Sequence, residues 1–397
     1  MKFVLATYGT RGDVEPCAAL GLELLRRGHD VRMAVPPNML GFVKSVGLAA
    51  VAYGPDSHAL HHGDDFVRKI QNPISALPEV MAHVTQVWME MGTTLMMLAN
   101  GADLLLAGMS EQGLAANVAE YYGIPPAALH FFPAQVFSLG WLHWRIMKDA
   151  EDAHRRALGL PEATGPSTPQ MVERGSLEIQ AYDELCFPGL AAAWPEQGRR
   201  RPFVGALTLE LPTDADDEVL SWIAAATPPI YFGFGSTPVP SPADMIAMIS
   251  AACTQLGERA LICSGANDFA LIPHFDNVKV VGAVNHAAIL SNCRAVVHHG
   301  GAGTTAAGMR AGIPTLILSI GHEQPIWAAA VERLKVGSAR PFSTTTQESL
   351  VADLSLIRTE QYVARAREVA TLMTKPAKSV AMAADLLEDT AGLGRFG

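Results

Sequence analysis

The sequence has little charge and no long basic stretch. Of its 397 residues, 17% are charged and 49% are hydrophobic, and the formal net charge is −10. Nucleic-acid binding needs a concentrated basic face, and the one basic run, Arg199-Arg200-Arg201, is short. We interpret that run as a solvated turn and predict no nucleic-acid partner. The hydrophobic content excludes a disordered chain, and the length suits about two domains.

Cysteines are also few: five are scattered along the chain, and none forms a Cys-x-x-Cys pair. This argues against a disulfide framework and a zinc site and suits a reducing cytosol. The chain begins directly with a strand pattern, so no signal peptide is expected. No run of about 18 apolar residues is present, so no membrane span is expected. We predict a cytoplasmic protein and leave open a peripheral contact with the inner face of the plasma membrane.

Two series of short apolar strands alternate with helical patterns. The first has strands at 2–8, 30–35, 102–108 and 126–132, with a helix from Val14 to about Arg27 after the first strand. The second has strands at 229–235, 260–265, 278–284, 295–300 and 315–320. Alternation of this kind indicates parallel sheets covered by helices. It predicts an α/β protein of two Rossmann-like, doubly wound domains that face each other across a cleft.

An acidic, proline-bearing stretch separates the two series. We predict an N-terminal domain at 1–206, a linker at 207–220, a C-terminal domain at 221–376 and a terminal helix at 377–397. That helix is a candidate to pack back on the first domain. The string Asp214-Ala215-Asp216 lies in the linker and not after a strand. We therefore interpret it as solvated chain and not as a metal-binding motif.

The most informative segment is His298-His299-Gly300-Gly301-Ala302-Gly303-Thr304-Thr305, which follows a strand and opens a helix. Glycines let a ligand approach the backbone closely, and a helix N-terminus carries partial positive charge. Together they form an anion site of the phosphate-binding type, beside which a histidine can donate a hydrogen bond. The alternative is a plain glycine turn with a core histidine.

The loop after the first strand is Gly9-Thr10-Arg11-Gly12-Asp13. Its glycine spacing is not that of a dinucleotide fingerprint, which argues against a nicotinamide enzyme. Asp13 has two interpretations: a helix cap, or a general base kept ionised by the helix N-terminus.

Two weaker motifs follow later strands. Gly233-Phe234-Gly235-Ser236 offers a hydroxyl beside glycines, and His322-Glu323-Gln324-Pro325 offers an acid–amide pair that suits adjacent hydroxyls of one sugar ring. Each is also compatible with an ordinary turn. All four motifs lie where strands end, which is where ligands bind in open α/β sheets.

The segment HHGGAGTTAAGMRAGIPTLILSIGHEQP at 298–325, with GTRGDVEP at 9–16, resembles GT-B-fold glycosyltransferases of natural-product type. This group includes vancomycin-group aglycone glycosyltransferases, sterol glucosyltransferases and mycobacterial glycopeptidolipid glycosyltransferases. The likeness is closest to the mycobacterial group, through GTRGDVEPCAALGLELLRRGHDV, the AVPPN turn and CRAVVHHGGAGTT. It is specific at 1–36 and 295–325 and looser across 55–200.

The resemblance implies a hexosyltransferase that uses a dTDP or UDP sugar as co-substrate and no other cofactor. It assigns roles residue by residue: Asp13 as the catalytic base; His299, Gly301, Gly303 and Thr304 on the donor diphosphate, with Ser236, Thr10, Arg11 and Gly12 nearby; Val284 against the nucleobase through its backbone; Glu323 and Gln324 on sugar hydroxyls. The antibiotic enzymes usually carry Asp where this chain has Glu323. Plant relatives use a histidine near the Asp13 position, and this chain has none there.

The implied reaction is inverting and needs no metal. Asp13 takes a proton from an acceptor hydroxyl while the diphosphate leaves against backbone amides and His299. The mycobacterial likeness favours rhamnose or 6-deoxytalose as the sugar and a glycopeptidolipid core as the acceptor. Five methionines in a predicted helix at 77–100, together with Trp141 and Trp144, fit an apolar acceptor wall or ordinary core packing. Two rivals remain: a nucleotide-sugar 2-epimerase of the same fold, and a catalytically silent nucleotide-sugar binding protein.

Overall fold

The computed structural model of the protein divides the chain into two compact units. Unit 1 comprises Met1–Tyr182, Gly189–Leu209 and Pro376–Gly397, and unit 2 comprises Asp183–Pro188 and Glu210–Lys375. The structure describes residues 1–57, 73–133, 140–165, 175–194, 200–239, 241–265, 267, 275–321 and 323–394; within these, the side chains of 73–78, 80 and 140–146 are outside the description.

Each unit is built on a six-stranded, all-parallel sheet. The strands of unit 1 are β1 (Lys2–Ala6), β2 (Asp30–Val35), β3 (Ala49–Ala52), β4 (Leu104–Ala107), β5 (Pro126–His130) and β6 (Leu177–Gln180). The strands of unit 2 are β7 (Ile230–Gly233), β8 (Ala260–Cys263), β9 (Val278–Val281), β10 (Ala295–His298), β11 (Thr315–Ser319) and β12 (Gly337–Pro341). The strand orders are β3-β2-β1-β4-β5-β6 and β12-β11-β10-β7-β8-β9.

Helices connect the strands. In chain order the described α-helices are α1 (Arg11–Arg26), α2 (Leu40–Ser45), α3 (Pro73–Ala99), α4 (Gln112–Tyr122), α5 (Gly140–Ala157), α6 (Asp216–Ala224), α7 (Pro242–Leu256), α8 (His286–Ile289), α9 (Ala302–Ala311), α10 (Gln324–Leu334), α11 (Gln347–Ile357), α12 (Glu360–Leu372) and α13 (Pro376–Gly394). None of these helices combines the length and the hydrophobicity needed to cross a bilayer.

The central strands are buried because helices cover both sheet faces. In unit 1, β4 is buried along its whole length, and in unit 2 the same is true of β7 and β10. This explains why continuous apolar runs predicted these strands. The sequence analysis missed β3, β6 and β12, each of which lies at a sheet edge. These edge strands are only four or five residues long and include small, polar or charged residues, as in LEIQ and GSARP.

The terminal helix α13 belongs to unit 1, where it lies against α1. The guanidinium of Arg27 at the end of α1 bonds Asp385 at 2.7 Å and Glu388 at 2.6 Å. His29 Nε2 lies 2.5 Å from the other Glu388 oxygen. These contacts fasten the last helix of the chain to the first βαβ segment.

Helix α3 carries the predicted methionine-rich stretch. Met91 is buried together with Leu95 and Leu98 in the core of unit 1, whereas Met97 on the same helix is 69% exposed. One face of the helix is therefore core, and the other is open. The side chains of Trp141 and Trp144 lie outside the described residues.

Each of the two charged strings that we interpreted as solvated chain contains a buried residue. Arg201 is buried, and its guanidinium donates to the buried Glu178 carboxylate at 3.1 Å, because β6 brings a charged residue into the sheet interior that needs a partner. Asp216 is 8% exposed, because it begins α6 and accepts bonds from backbone N–H groups. The predicted linker at 207–220 thus includes the first residues of a packed helix.

In both sheets the strand order reverses at one point. In unit 1 this switch lies between β1 and β4, and in unit 2 it lies between β7 and β10. Loops at the carboxyl ends of these neighbouring strands diverge and leave a crevice in which ligands of open α/β sheets bind. The loops concerned are those that hold Asp13 in unit 1 and Ser236 and His299 in unit 2.

Candidate functional site

The loop between β10 and α9 adopts a conformation that only glycine permits. Gly300 has φ of +99°, and a Cβ there would lie 2.9 Å from Ile317 Cγ2. A Cβ on Gly301, the N-cap of α9, would lie 2.6 Å from His299 Nε2. Gly303 in the first turn is exposed, with nothing within 4 Å of a built Cβ. The first N–H groups of α9 have no partner within the helix, so this open end suits an anion.

His299 is neutral at neutral pH. Burial lowers the pKa of its imidazole to about 4, and the nearby Gly233 carbonyl only partly opposes this. A neutral imidazole has one N–H, so His299 donates either to the Gly233 carbonyl or, in the other tautomer, to a phosphate oxygen. Its neighbour His298 is fully buried, and its Nδ1 accepts a hydrogen bond from the Gly300 N–H at 3.0 Å. His298 therefore fixes the conformation of the loop from its buried side, and His299 is the histidine that lies beside the glycines.

The loop after β7 lies next to the loop that holds His299, on the other side of the switch point. Gly235 has φ of +58°, and a Cβ on it would lie 3.0 Å from His299 Cε1. Ser236 follows directly and is half-buried. A Cβ on Gly265, after β8, would come within 2.1 Å of the Gly235 carbonyl oxygen. The structure thus brings Ser236 and His299 into adjacent loops, as the strand-end argument predicted.

The acid–amide pair begins α10, after β11. Gln324 is 5% exposed, and its Oε1 accepts hydrogen bonds from Ile320 N at 2.6 Å and Gly321 N at 3.1 Å. The amide oxygen therefore fixes the turn, and Nε2 is the part of this amide suited to a ligand hydroxyl. Glu323 is half-buried at the N-cap position. His322 of this motif lies outside the described residues.

Val284 lies after β9, at the far side of the sheet from β10. It is half-buried and packs against a hydrophobic cluster that includes Val219, Tyr231 and Ile289. Its side chain thus points into unit 2, so the backbone of Val284 is the part of this residue that could contact a nucleobase.

In unit 1, Asp13 caps the helix that it belongs to. Its Oδ2 accepts hydrogen bonds from Thr10 N at 2.7 Å and from Thr10 Oγ1 at 3.3 Å, which completes a capping box. Gly9 has φ of +144° and leaves space for the Asp13 carboxylate, because a Cβ on Gly9 would lie 2.2 Å from Asp13 Oδ2. Asp13 is half-buried at the switch point. Capping is therefore observed, and the base role is compatible with it, because one carboxylate can serve both.

The other predicted residues of this loop are more exposed. Arg11 pairs with Glu15 at 2.8 Å, and its guanidinium lies 4.8 Å from the centre of the Phe42 ring. Gly12 is exposed as well. Within unit 1 the Arg11 charge is thus already partnered.

Sequence reasoning missed Glu111. This residue follows β4, the strand next to β1 across the switch point, and is 2% exposed. Burial, and next the charge of Asp13, raises the pKa of its carboxyl well above the ordinary value. Neither carboxyl oxygen makes a hydrogen bond of good geometry within the described residues. The only signal in the sequence was an acidic residue a few positions after a predicted strand.

Among the described residues, no group of three or more His, Cys, Asp or Glu side chains is arranged to hold a metal ion. At its switch point unit 2 offers backbone N–H groups, a neutral imidazole, hydroxyls and an amide, and unit 1, described by itself, offers two carboxyl groups. These groups suit a diphosphate and a hydroxyl-bearing molecule.

Comparison with known proteins agrees with this chemistry. Residues 3–102 match the glycosyltransferase family 28 N-terminal domain, and residues 242–388 match the C-terminal domain of erythromycin biosynthesis protein CIII-like proteins. The chain therefore belongs to the glycosyltransferases, and it is a transferase.

Individual relatives cover the whole chain. An uncharacterized glycosyltransferase of Mycobacterium tuberculosis (strain ATCC 25618 / H37Rv) is 60% identical over 100% of both chains. The vancomycin aglycone glucosyltransferase of Amycolatopsis orientalis is 30% identical over 98% of this chain and 97% of its own. The crystal structure of the glycosyltransferase VinC in complex with dTDP superposes with a TM-score of 0.69 at 18% identity, over 99% of this chain and 100% of that one. The predicted GT-B fold is confirmed.

Proposed function

We propose that this glycosyltransferase moves a hexose or deoxyhexose from a dTDP or UDP sugar to a hydroxyl of a lipid-like acceptor, with inversion and without a metal ion. The observation that carries the proposal is the loop between β10 and α9. Its glycines and neutral His299 leave the helix N-terminus open to a diphosphate.

The donor site is assembled on unit 2. The diphosphate lies against Gly301, Gly303 and Thr304, with His299 and Ser236 as flanking donors. Thymidine diphosphate is our first choice of nucleotide because the VinC structure contains dTDP, and UDP is the alternative. We propose a deoxyhexose as the sugar, rhamnose or 6-deoxytalose, because the sequence resemblance implies these two.

The transfer requires a base and a stabilised leaving group. Asp13 accepts the proton of the acceptor hydroxyl as that oxygen bonds to the anomeric carbon. The bond from the anomeric carbon to the phosphate oxygen breaks, and its electron pair leaves with the nucleoside diphosphate. Backbone N–H groups of α9 and the His299 N–H meet the charge that develops there, which is electrostatic stabilisation without reorganisation.

The acceptor is proposed to be apolar, with a glycopeptidolipid core as the specific candidate. Its support is that α3 keeps methionines accessible: Met97 is exposed and Met89 is half-buried, whereas Met96 packs half-buried against the core. Thioether side chains adapt to irregular apolar shapes. We propose that the protein acts in the cytoplasm or at the inner face of the plasma membrane, where such an acceptor is accessible.

The first experiment screens dTDP and UDP sugars by thermal shift and then analyses products by mass spectrometry with candidate lipopeptides. We expect one donor to stabilise the protein and a mass gain of one sugar on an acceptor. The rate should be unchanged when EDTA is added. Conversion of a donor to its 2-epimer without acceptor would replace the transferase proposal by the epimerase.

The second experiment tests the base. In Asp13→Asn the amide oxygen still accepts the hydrogen bond from Thr10 N, so the helix cap is retained while the basicity is lost. Loss of a general base costs about 10²–10⁴-fold in rate, and we expect a fall in kcat of that order with little change in donor affinity. Asp30→Asn, at an exposed position on β2, is the matched control. Full turnover by Asp13→Asn would exclude Asp13 as the base.

A further inference from the structure

The loop that follows β9 is fastened by a carboxylate from another part of unit 2. Asp216 Oδ1 accepts a hydrogen bond from Asn285 N at 2.9 Å, one residue after Val284. The same carboxylate accepts bonds from Thr213 N at 2.8 Å and from Thr213 Oγ1 at 2.8 Å. Asp216 thus joins the start of α6 to the loop that we assign to the nucleobase.

The Asp216 side chain is buried, and the hydrogen bonds that it accepts are partly buried. Burial by itself would raise the pKa of Asp216, but the N–H groups of Asn285 and Thr213 and the Thr213 hydroxyl outweigh it, and the pKa lies below its ordinary value. The carboxylate is therefore ionised at neutral pH, and its hydrogen bonds are charge-assisted, which makes them stronger than neutral ones.

The Val284 and Asn285 side chains also restrain the loop at 283–285. Val284 packs on the hydrophobic cluster to which Val219 and Ile223 of α6 belong. Asn285 Oδ1 caps α8 by accepting from Ala287 N at 3.1 Å. Backbone recognition of a base needs a loop held in one conformation, because a mobile loop must be ordered at the cost of binding energy.

We propose that Asp216 is a positioning residue for nucleoside recognition: it holds the loop at 283–285 so that the Val284 backbone is preorganised for the base of the donor. The inference rests on the proposed function, because it assumes that a nucleotide binds there. Asp216 acts through the loop and takes no part in bond breaking. The bond network also reaches Thr213, three residues after unit 2 resumes at Glu210.

The test is the affinity for dTDP and for UDP, each measured by calorimetry. Asp216→Asn keeps the shape of the side chain but loses the charge. We expect the affinity of the nucleotide that binds the wild type to weaken by about tenfold, the equivalent of one charged hydrogen bond. Asp217→Asn, exposed in the same helical turn, is the matched control and should bind as the wild type does. In turnover, the donor KM of Asp216→Asn should rise while kcat is nearly unchanged.

Hydrogen exchange gives a readout independent of activity. In the wild type the amides of Asn285 and Thr213 should exchange slowly without nucleotide, and that of Asn285 should exchange faster in Asp216→Asn. Thr213→Val removes the hydroxyl contacts with Asp216 Oδ1 at 2.8 Å and with the Ala283 carbonyl at 3.4 Å but leaves the bond from Asn285 N to Asp216, so it should weaken nucleotide binding less than Asp216→Asn does. This milder variant serves if Asp216→Asn folds poorly.

The outcomes separate this inference from the proposed function. If the wild type binds neither nucleotide, the proposed donor class is wrong. If it binds one of them and Asp216→Asn binds it equally well, the positioning role is wrong and the donor site stands. A lower melting temperature of Asp216→Asn with unchanged affinity would reduce Asp216 to a helix-terminal structural residue and overturn the inference.

Discussion

Glu111 provides the sharpest test of the electrostatics of unit 1. Its carboxyl is buried beside Asp13, and both effects raise its pKa well above the ordinary value. The folded protein therefore keeps a proton on Glu111 at pH values where the unfolded chain has lost it. Stability must fall as the pH rises through that window, because the folded state binds the extra proton. Glu111→Gln mimics the neutral form and cannot titrate.

The size of the effect follows from linkage. One proton held only by the folded state changes the free energy of unfolding by about 1.4 kcal/mol per pH unit. Between the ordinary carboxyl pKa and the raised pKa of Glu111, the wild type should thus lose stability at up to this rate relative to Glu111→Gln. For a unit of about 150–250 residues, 1 kcal/mol corresponds to about 2–4 °C. The melting temperatures should diverge by roughly 3–6 °C per pH unit, with Glu111→Gln the more stable at the higher pH.

The assay is calorimetric or fluorimetric unfolding of both proteins at several pH values and constant ionic strength. Glu79→Gln, at an exposed position on α3, is the control and should track the wild type. If the wild type and Glu111→Gln give parallel curves, Glu111 is ionised in the folded protein and our account of the carboxyl pair fails. If the curves diverge as expected, unit 1 retains a destabilising acid next to the proposed base. Such pairs with separated pKa values are typical of acid–base sites.

Two further predictions concern unit 2. Gly303→Ala adds a methyl group that meets no atom within 4 Å and points toward the N-terminus of α9, where the diphosphate is proposed to lie. The melting temperature should be unchanged or raised, while the affinity for the nucleotide falls. An affinity equal to that of the wild type would place the ligand elsewhere. The pKa of His299 is about 4 in the folded protein, compared with an ordinary value of 6.5. As the pH falls, the unfolded state therefore binds a proton that the folded state does not. The wild type should therefore lose stability between about pH 6.5 and about pH 4 at up to about 1.4 kcal/mol per pH unit. His299→Gln should lose less over the same interval, and identical slopes would show that the imidazole is not desolvated.

Much of the fold was predictable because its signals are local. The central strands are apolar along their length since helices cover both faces, and the glycine at 300 and the N-cap glycine at 301 are required by backbone conformation and crowding. These features depend on neighbours along the chain, so the loop after β10 and the helix that follows it could be predicted. The edge strand β12 carries no such signal, because most of its residues are half-buried or exposed.

Several side chains were misjudged or missed because their role depends on distant partners. Arg201 was interpreted as solvated, and only the fold brings it to Glu178. Asp216 was assigned to a solvated linker, although it bonds a loop about seventy residues further along the chain. Glu111 had no distinguishing spacing, and nothing in the motif at 322–325 indicated that the Gln324 oxygen also fixes a turn.

By itself, the sequence determined the α/β class, the two strand series, the glycosyltransferase family and the glycine-rich loop that precedes α9, since each depends on short-range backbone geometry or on a contiguous motif. The tertiary structure alone decided which charged groups are buried and with what partner. Burial is a property of the folded environment, and the free energy of a charge depends on the solvent that it loses and on the partners that replace it.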